Sequence, residues 1–411
     1  MLSNITINQG RLWDSIMEMA KIGATAKGGC NRLALTDLDR EARELFISWC
    51  KDAGCSITID RMGNIFARRP GRNSALDPVA FGSHLDTQPT GGKFDGVFGV
   101  LAGLEVVRTL NDHSYETDAP LEIVVWTNEE GSRFAPAMIA SGVFAGVFSE
   151  EYGMSRADLD GKTIGEELNR IGYRGEAPCG GRPFKALFEA HIEQGPILEA
   201  ENKTIGAVTG IQGIRWFECT VTGNESHAGT TPMTMRRDAL LGVARIVDEI
   251  NLIAKAHAPD AVSTVGLLQV HPNSRNVIPG SVFFTVDLRH ADADVLREMA
   301  DELQEAVNRV TSELSLTHDL HEIWYSPPAP FDKSCIESVR RAAEEAGYAY
   351  RDIVSGAGHD AGNISKVAPT AMIFVPCAGG ISHNESESAT PEDLAAGCNV
   401  LLRAVLTHAS A

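Results

Sequence analysis

Three histidines and four carboxylates stand just past short apolar runs of this 411-residue chain. His84 and Asp86 follow Val79-Ala80-Phe81, with Asp95 a few residues on. Glu129 and Glu130 follow Leu121-Glu122-Ile123-Val124-Val125-Trp126, and His191 closes Ala186-Leu187-Phe188-Glu189-Ala190. His383 comes after Ala371-Met372-Ile373-Phe374-Val375-Pro376. Imidazoles and carboxylates together suit a borderline divalent cation such as zinc, cobalt or manganese. Each residue alone has a plainer reading. A lone histidine at a strand end is ordinarily a surface or capping residue, Glu129-Glu130 a solvated turn, and Asp95-Gly96 a turn. Their recurrence at strand ends that should be neighbours makes the joint pattern stronger than its parts. Gly91, Gly92 and Gly96 let the backbone bend around Asp95 and aim its carboxylate. The glycine pair is not a phosphate loop, because neither GxxxxGK[ST] nor GxGxxG is present.

The elements that must position these residues follow from the apolar periodicity. Leu38 to Ala53 and Val97 to Leu110 read as helices, and the runs named above as buried strands, giving a mostly parallel α/β sheet. In such sheets ligands bind outside the carboxyl ends of the strands, where the polar residues fall. Near residue 210 the texture changes. Ile214–Val221 and Val282–Leu288 read as antiparallel strands among two long amphipathic helices, roughly Arg237–His257 and Val295–Leu314. Tyr325-Ser326-Pro327-Pro328-Ala329-Pro330 breaks both periodicities. After it come a helix over Lys333–Ala346 and one more buried strand. The fold class expected is therefore α/β: a parallel-sheet domain over 1–210 and 327–411, interrupted by an inserted α+β domain over 211–326.

Composition narrows the function classes. With 36 basic against 55 acidic residues and a net charge of -19, the chain cannot present the basic face that nucleic acid demands. A small anionic substrate stays open, because a few local cations can invert the potential of a cleft. The 8 cysteines are scattered without a CxxC pair, which points to reduced thiols and a cytoplasmic setting. The first twenty residues lack a basic segment leading into an apolar one, so no secretory leader is expected. No apolar run nears the ~18 residues of a membrane span.

Several of these segments resemble the M20 metallopeptidase-like amidohydrolases, and within them the carbamoylase branch of N-carbamoyl-L-amino acid hydrolase, β-ureidopropionase and allantoate amidohydrolase. The segments are Gly82-Ser83-His84-Leu85-Asp86-Thr87, Gly92-Lys93-Phe94-Asp95-Gly96-Val97 and Thr127-Asn128-Glu129-Glu130-Gly131-Ser132-Arg133-Phe134. To them are added His191-Ile192-Glu193-Gln194-Gly195-Pro196, Ser226-His227-Ala228-Gly229-Thr230-Thr231-Pro232-Met233 and Asn276-Val277-Ile278-Pro279-Gly280. Gly358-His359-Asp360-Ala361 and Ser382-His383-Asn384-Glu385 complete the set, in order over nearly the whole chain.

The resemblance implies two divalent ions per subunit (Zn, or Mn, Co or Ni). His84 and Glu130 would serve different ions, His191 and His383 would complete the two shells, and Asp95 would bridge. It implies Glu129 as general base and Asp86 as the carboxylate that orients His84 through its other ring nitrogen. Arg289 would grip a substrate carboxylate, while Gln194, Asn276 and His227 would hold substrate oxygens, His227 as an oxyanion donor. His359 would have a supporting substrate-binding role. The inserted domain would act as lid and dimerisation domain, the enzyme would be a homodimer, and domain closure would complete the site. The Asp95–Gly96 peptide would be cis.

The activity implied is metal-dependent hydrolysis of the ureido C–N bond of an N-carbamoyl-L-amino acid or N-carbamoyl-β-alanine. Arg133 to Phe144 looks more like the carbamoyl-amino-acid hydrolases than the allantoate enzymes. Allantoate or ureidoglycolate hydrolysis is the alternative within the branch, and a dipeptidase or aminopeptidase the alternative within the superfamily. An inactive metal-binding relative would need a missing ligand or base, and none is missing.

Overall fold

The structure, a computed structural model, describes residues 5–410. Its strands in chain order are β1 Ser56–Ile59, β2 Ile65–Arg69, β3 Val79–His84, β4 Leu121–Trp126, β5 Ala186–Ile192, β6 Ile205–Ile211, β7 Gly213–Thr222 and β8 Ser226–His227. There follow β9 Val262–Thr264, β10 Leu268–His271, β11 Val277–Ile278, β12 Ser281–His290, β13 Thr317–Ser326, β14 Ala329–Pro330, β15 Tyr350–Ser355 and β16 Thr370–Val375.

The chain forms two compact units, Met1–Gly210 with Pro330–Ala411, and Ile211–Ala329. The first is built on a 9-stranded sheet ordered β1-β2-β4-β3-β5-β16-β6-β14, with β15 on β6. Its middle is parallel: β3 pairs with β4 and with β5, and β5 with β16. The flanks are antiparallel, β1 on β2, β2 on β4 and β6 on β16. The parallel strands are buried along their whole length, which is why their sequences run apolar instead of alternating. The helix Val97–Asp112 packs on this sheet, with glycines where it approaches most closely. A Cβ at Gly99 would lie 2.4 Å from the Ala190 carbonyl oxygen, so no larger residue fits.

The second unit is a 5-stranded antiparallel sheet, β10-β12-β7-β13 with β9 on β12. Alternate residues of β7 and β12, among them Phe217, Val221, Phe284 and Leu288, meet the apolar stripes of helices Ala239–Ala256 and Ala293–Glu313. A separate ladder joins β8 to β11, pairing His227 with Val277.

The helix Lys333–Ala346 and strand Leu121–Trp126 lie where the periodicity puts them. The boundary is later than expected. Ser326 still belongs to β13, and Ala329–Pro330 forms β14 at the rim of the large sheet, a position where a proline's missing N–H costs no ladder bond. Antiparallel β6, next to β16, was not legible. The Asp95–Gly96 bond is not cis, since the cis peptides among the described residues precede Pro136, Pro259 and Pro272. The sharp bend is made at Gly96 (φ 66°, ψ -49°), a γ-turn in which Val97 N–H donates to the Asp95 carbonyl at 2.7 Å. A Cβ at Gly96 would sit 2.3 Å from the His84 ring.

Candidate metal and active site

All of the parallel strands contribute to one cluster at their carboxyl ends. His84 ends β3, Glu129 and Glu130 lie in the turn after β4, and His191 is in the last turn of β5. His383 lies in the loop after β16. The turn after β4 is set by residues of its own. Asn128 (φ 56°) and Gly131 (φ 67°) both take left-handed backbone, and Asn128 Nδ2 donates to the Phe134 carbonyl at 2.8 Å. Under it, fully buried Arg43 is paired with Asp39 at 2.9 Å and donates to Thr127 Oγ1 at 3.2 Å.

Asp95 sits at the centre with its oxygens divided. Oδ1 faces His191 Nε2 at 3.2 Å and His84 Nε2 at 3.5 Å. Oδ2 faces His383 Nε2 at 3.5 Å, and His383 Nε2 lies 3.3 Å from Glu130 Oε2. Two groups with metal-ligand spacing therefore share one carboxylate: His84, Asp95 and His191, and Asp95, Glu130 and His383. Glu129 Oε2 lies 3.5 Å from His84 Nε2.

The ring nitrogens are disposed for a cation. His84 Nδ1 donates to the Asp86 carbonyl at 2.8 Å and His191 Nδ1 to the Ile192 carbonyl at 2.9 Å. Those bonds fix the tautomer and turn both Nε2 lone pairs toward Asp95. His84 Nε2 is buried without a hydrogen-bond partner, an orphan that a cation would satisfy. The donor set, imidazole nitrogen with carboxylate oxygen, matches the chemistry of borderline divalent ions.

The same cluster perturbs its own titration. Burial opposes the charge of Asp95, but His191 and His84 outweigh it and hold its pKa well below the carboxylate range. Burial also opposes the His84 cation, yet Glu129, Asp95 and Asp86 lift its pKa well above that of a free imidazole. Burial drives Glu129 far up, helped by Asp360, Glu130 and Asp95. A raised carboxylate within reach of a metal site has the character of a general base.

Other candidate residues are placed differently from expectation. The partner of His84 Nδ1 is the Asp86 backbone carbonyl, not its side chain. The Asp86 carboxylate instead accepts the N–H groups of Glu129 (3.3 Å) and Glu130 (3.2 Å), so it fixes the turn after β4. Burial pushes its pKa up to about 6. Gln194 spends an amide N–H on Asp95 Oδ2 at 2.7 Å, from a left-handed backbone (φ 59°), while its Oε1 is buried without a partner. His359 is buried with its ring centroid 4.5 Å from that of His191, and burial, then His191, push its pKa well down. It also falls in a third group of ligand types, with Glu189 and His191. Glu189 there is already bonded to Ser83 Oγ and Ala361 N–H, and His191 to Ile192 and Asp95.

In the second unit His227 and Asn276 are brought together, since Ala228 N–H donates to the Asn276 carbonyl at 2.9 Å. His227 Nδ1 accepts Gly229 N–H at 3.0 Å, which leaves the ring hydrogen on Nε2. Arg289, on β12, is forked onto Asp287 at 2.8–3.2 Å.

Residues 80–407 match the Peptidase family M20/M25/M40. The chain belongs to this family. Its branch is the carbamoylase one. The chain is 53% identical over 406 residues to an N-carbamoyl-L-amino-acid amidohydrolase of Rhizobium meliloti, covering 99% of this chain and 98% of the relative. It is 34% identical to an allantoate amidohydrolase of Bacillus subtilis over 94% of this chain and 95% of that one. A crystal structure of an amidase of the hydantoinase/carbamoylase family from Burkholderia multivorans superposes with TM-score 0.97 at 63% identity, covering 99% of each chain. The protein is thus an amidohydrolase of a metal-dependent family, with candidate metal-binding clusters in place. No helix among the described residues is long and apolar enough to cross a membrane.

Sequence reasoning missed Gln88, Glu189, Ser382 and Glu387. Gln88 Nε2 donates to Glu130 Oε2 at 2.7 Å. Glu189, fully buried in β5, joins Ser83 beside His84 to Ala361 beside His359. Ser382 Oγ lies 2.7 Å from Asp95 Oδ2 and 2.9 Å from Glu387 Oε2. One hydroxyl hydrogen cannot serve both carboxylates. Burial, then Asp95, push Glu387 up to about 7. Only the abundance of carboxyls around His383 could have hinted at Glu387.

Proposed function

We propose that the protein hydrolyses the ureido C–N bond of an N-carbamoyl-L-amino acid or N-carbamoyl-β-alanine, giving the amino acid, ammonia and carbon dioxide. The observation that carries the reading is Asp95 shared between two ligand groups with Glu129 beside them. The relative at 53% identity supports the substrate class.

In this reading His84 and His191 hold one divalent ion, Glu130 and His383 a second, and Asp95 spans both. Zinc, manganese, cobalt or nickel suits the donors. Bound divalent ions supply Lewis-acid polarisation of the carbonyl and acidify the attacking water. Both are needed, because a ureido carbonyl receives electron density from two nitrogens. Glu129 takes a proton from that water and returns it to the departing nitrogen. Asp86 steadies Glu129 and Glu130 through their backbone N–H groups. Gln194 offers the buried Oε1 as acceptor for ureido N–H. His227, with hydrogen on Nε2, donates to the developing oxyanion, Asn276 adds an amide, and Arg289, aligned by Asp287, takes the substrate carboxylate. His359 supports the His191 ring.

We propose further that the chain is a homodimer through its inserted unit. Exposed Leu240, Leu241 and Leu252 on helix Ala239–Ala256 support this. A cytoplasmic location is supported by cysteines that are all free thiols.

The test is an ammonia-release assay of metal-loaded protein on N-carbamoyl-L-methionine, N-carbamoyl-β-alanine and allantoate. Turnover of a carbamoyl substrate is expected. Release from allantoate alone would move the activity to the alternative that the Bacillus subtilis relative favours. Dipeptide hydrolysis without either would return it to the peptidases.

A further inference from the structure

Glu387 is buried, yet it lies only two residues from Glu385, whose carboxylate meets Lys27 in a pair at 3.5 Å with the Lys27 end exposed. The two glutamates do different things. Glu387 Oε1 accepts the N–H groups of Phe94 (2.9 Å) and Asp95 (3.1 Å), and Oε2 accepts Ser382 Oγ at 2.9 Å. Ser382 Oγ in turn lies 2.7 Å from Asp95 Oδ2. Glu387 thus reaches Asp95 through its backbone and through its side chain, from the loop that carries His383.

The surrounding glycines are cut to fit this carboxylate. A Cβ at Gly92 would lie 2.1 Å from the Glu387 carboxyl carbon, and one at Gly29 would lie 2.7 Å from Glu385 Cα. Cys30 and Gly91 exchange backbone hydrogen bonds at 2.9 and 3.0 Å, so the 28–32, 88–96 and 382–387 segments form one stapled layer. Asp95 lies at the tip of a γ-turn that no regular element stiffens, and His383 sits on left-handed backbone (φ 54°). Without an anchor neither residue has a fixed position relative to the other.

We propose that Glu387 is a positioning residue that locks the Asp95 turn to the His383 loop, so that both side chains are held ready for the same cation. This rests on the metal reading of the site and adds to it a residue that touches no cation or substrate. Outer groups of this kind carry ~10–100-fold in metal affinity.

The experiment measures Mn²⁺ affinity by competition with a chelator in the full-length protein, together with the melting temperature of the metal-free form. Glu387→Ala, which removes the acceptor of all these hydrogen bonds, should weaken Mn²⁺ binding by ~10–100-fold. Glu387→Gln keeps a carbonyl oxygen for the Phe94 and Asp95 amides and should stay within a few-fold of the parent. Glu385→Gln, on the exposed side of the loop, should bind as the parent does. A purely structural Glu387 would lower the metal-free melting temperature and leave Mn²⁺ affinity alone, and that result overturns the proposal. So does equal loss in the Ala and Gln variants. If Glu387→Ala does not accumulate, Ser382→Ala cuts the side-chain link alone, and unchanged affinity there overturns the proposal equally. A parent protein that binds no Mn²⁺ refutes the metal reading and the proposal with it, whereas a binding parent with an equally binding variant refutes only the proposal.

Discussion

The two halves of the centre are built on different principles. His84 and His191 lie in the last turns of β3 and β5, fully buried, each ring locked by a backbone carbonyl. Glu130 and His383 sit on loops, and the His383 side chain is 51% exposed. It is held by its loop, through Ser382 and Glu387, while Glu130 is met by Gln88. The sheet itself orders the first half. The second is ordered by side chains that come from elsewhere in sequence, and Asp95 joins the two. Rigidity in the first half costs little extra because the strands are already fixed by the core. In the second half each hydrogen bond must offset loop entropy.

The largest effect separates chemistry from both halves. Glu129→Gln should lower turnover by ~10²–10⁴ and leave metal binding intact. Stopped-rate assays with metal analysis check this, and unchanged activity would remove Glu129 from its role.

The halves themselves are compared next. His84→Ala empties a buried site between β3 and Gly96 and should destabilise the metal-free protein by about 2–4 kcal/mol. His383→Ala, at a half-exposed loop position, should cost under about 0.5 kcal/mol. Both should impair metal binding. Equal melting shifts for the two variants in chelator would break the contrast.

A smaller effect lies in pH. Burial holds Asp86 and Glu387 protonated to about 6 and about 7 in the metal-free fold, above their unfolded values. As pH rises from about 4 the unfolded chain loses those protons first, so stability falls across that window. His84, His191 and His383 have raised pKa values, chiefly through Asp95, Glu129 and Glu130 set against burial. Their stabilisation is complete below the ordinary imidazole range and is lost as pH rises through the folded values. Asp95 works in the opposite sense and only at lower pH. The melting temperature in chelator should therefore decline from pH 5.5 to 8, and divalent metal should flatten the profile. A rising profile in chelator would contradict the ionisation described.

The same contrast explains what could be read from the sequence. β3, β4, β5 and β16 are apolar throughout, so their polar last residues stand out, and His84, Glu129, Glu130 and His191 could be found from pattern alone. His383 needed the family resemblance, because eight residues separate it from the end of β16. The Asp86 carboxylate was misplaced because a side chain and a backbone carbonyl of one residue are equally close in sequence to His84. Nothing in a single chain distinguishes buried Glu387 from exposed neighbours, nor shows that Gln88 would meet Glu130. The γ-turn at Gly96 was read as a cis bond, since a glycine after aspartate permits either bend. The antiparallel β6 was invisible because strand direction leaves no mark on composition.

The central claim, one carboxylate shared by two ions, is tested most directly by counting metal in Asp95→Asn. Equilibrium dialysis against Zn²⁺ or Mn²⁺ followed by elemental analysis should find about two ions per parent chain and less than one in the variant, because both sites lose a ligand together. A variant that keeps one ion at parental affinity would show that Asp95 serves only one half.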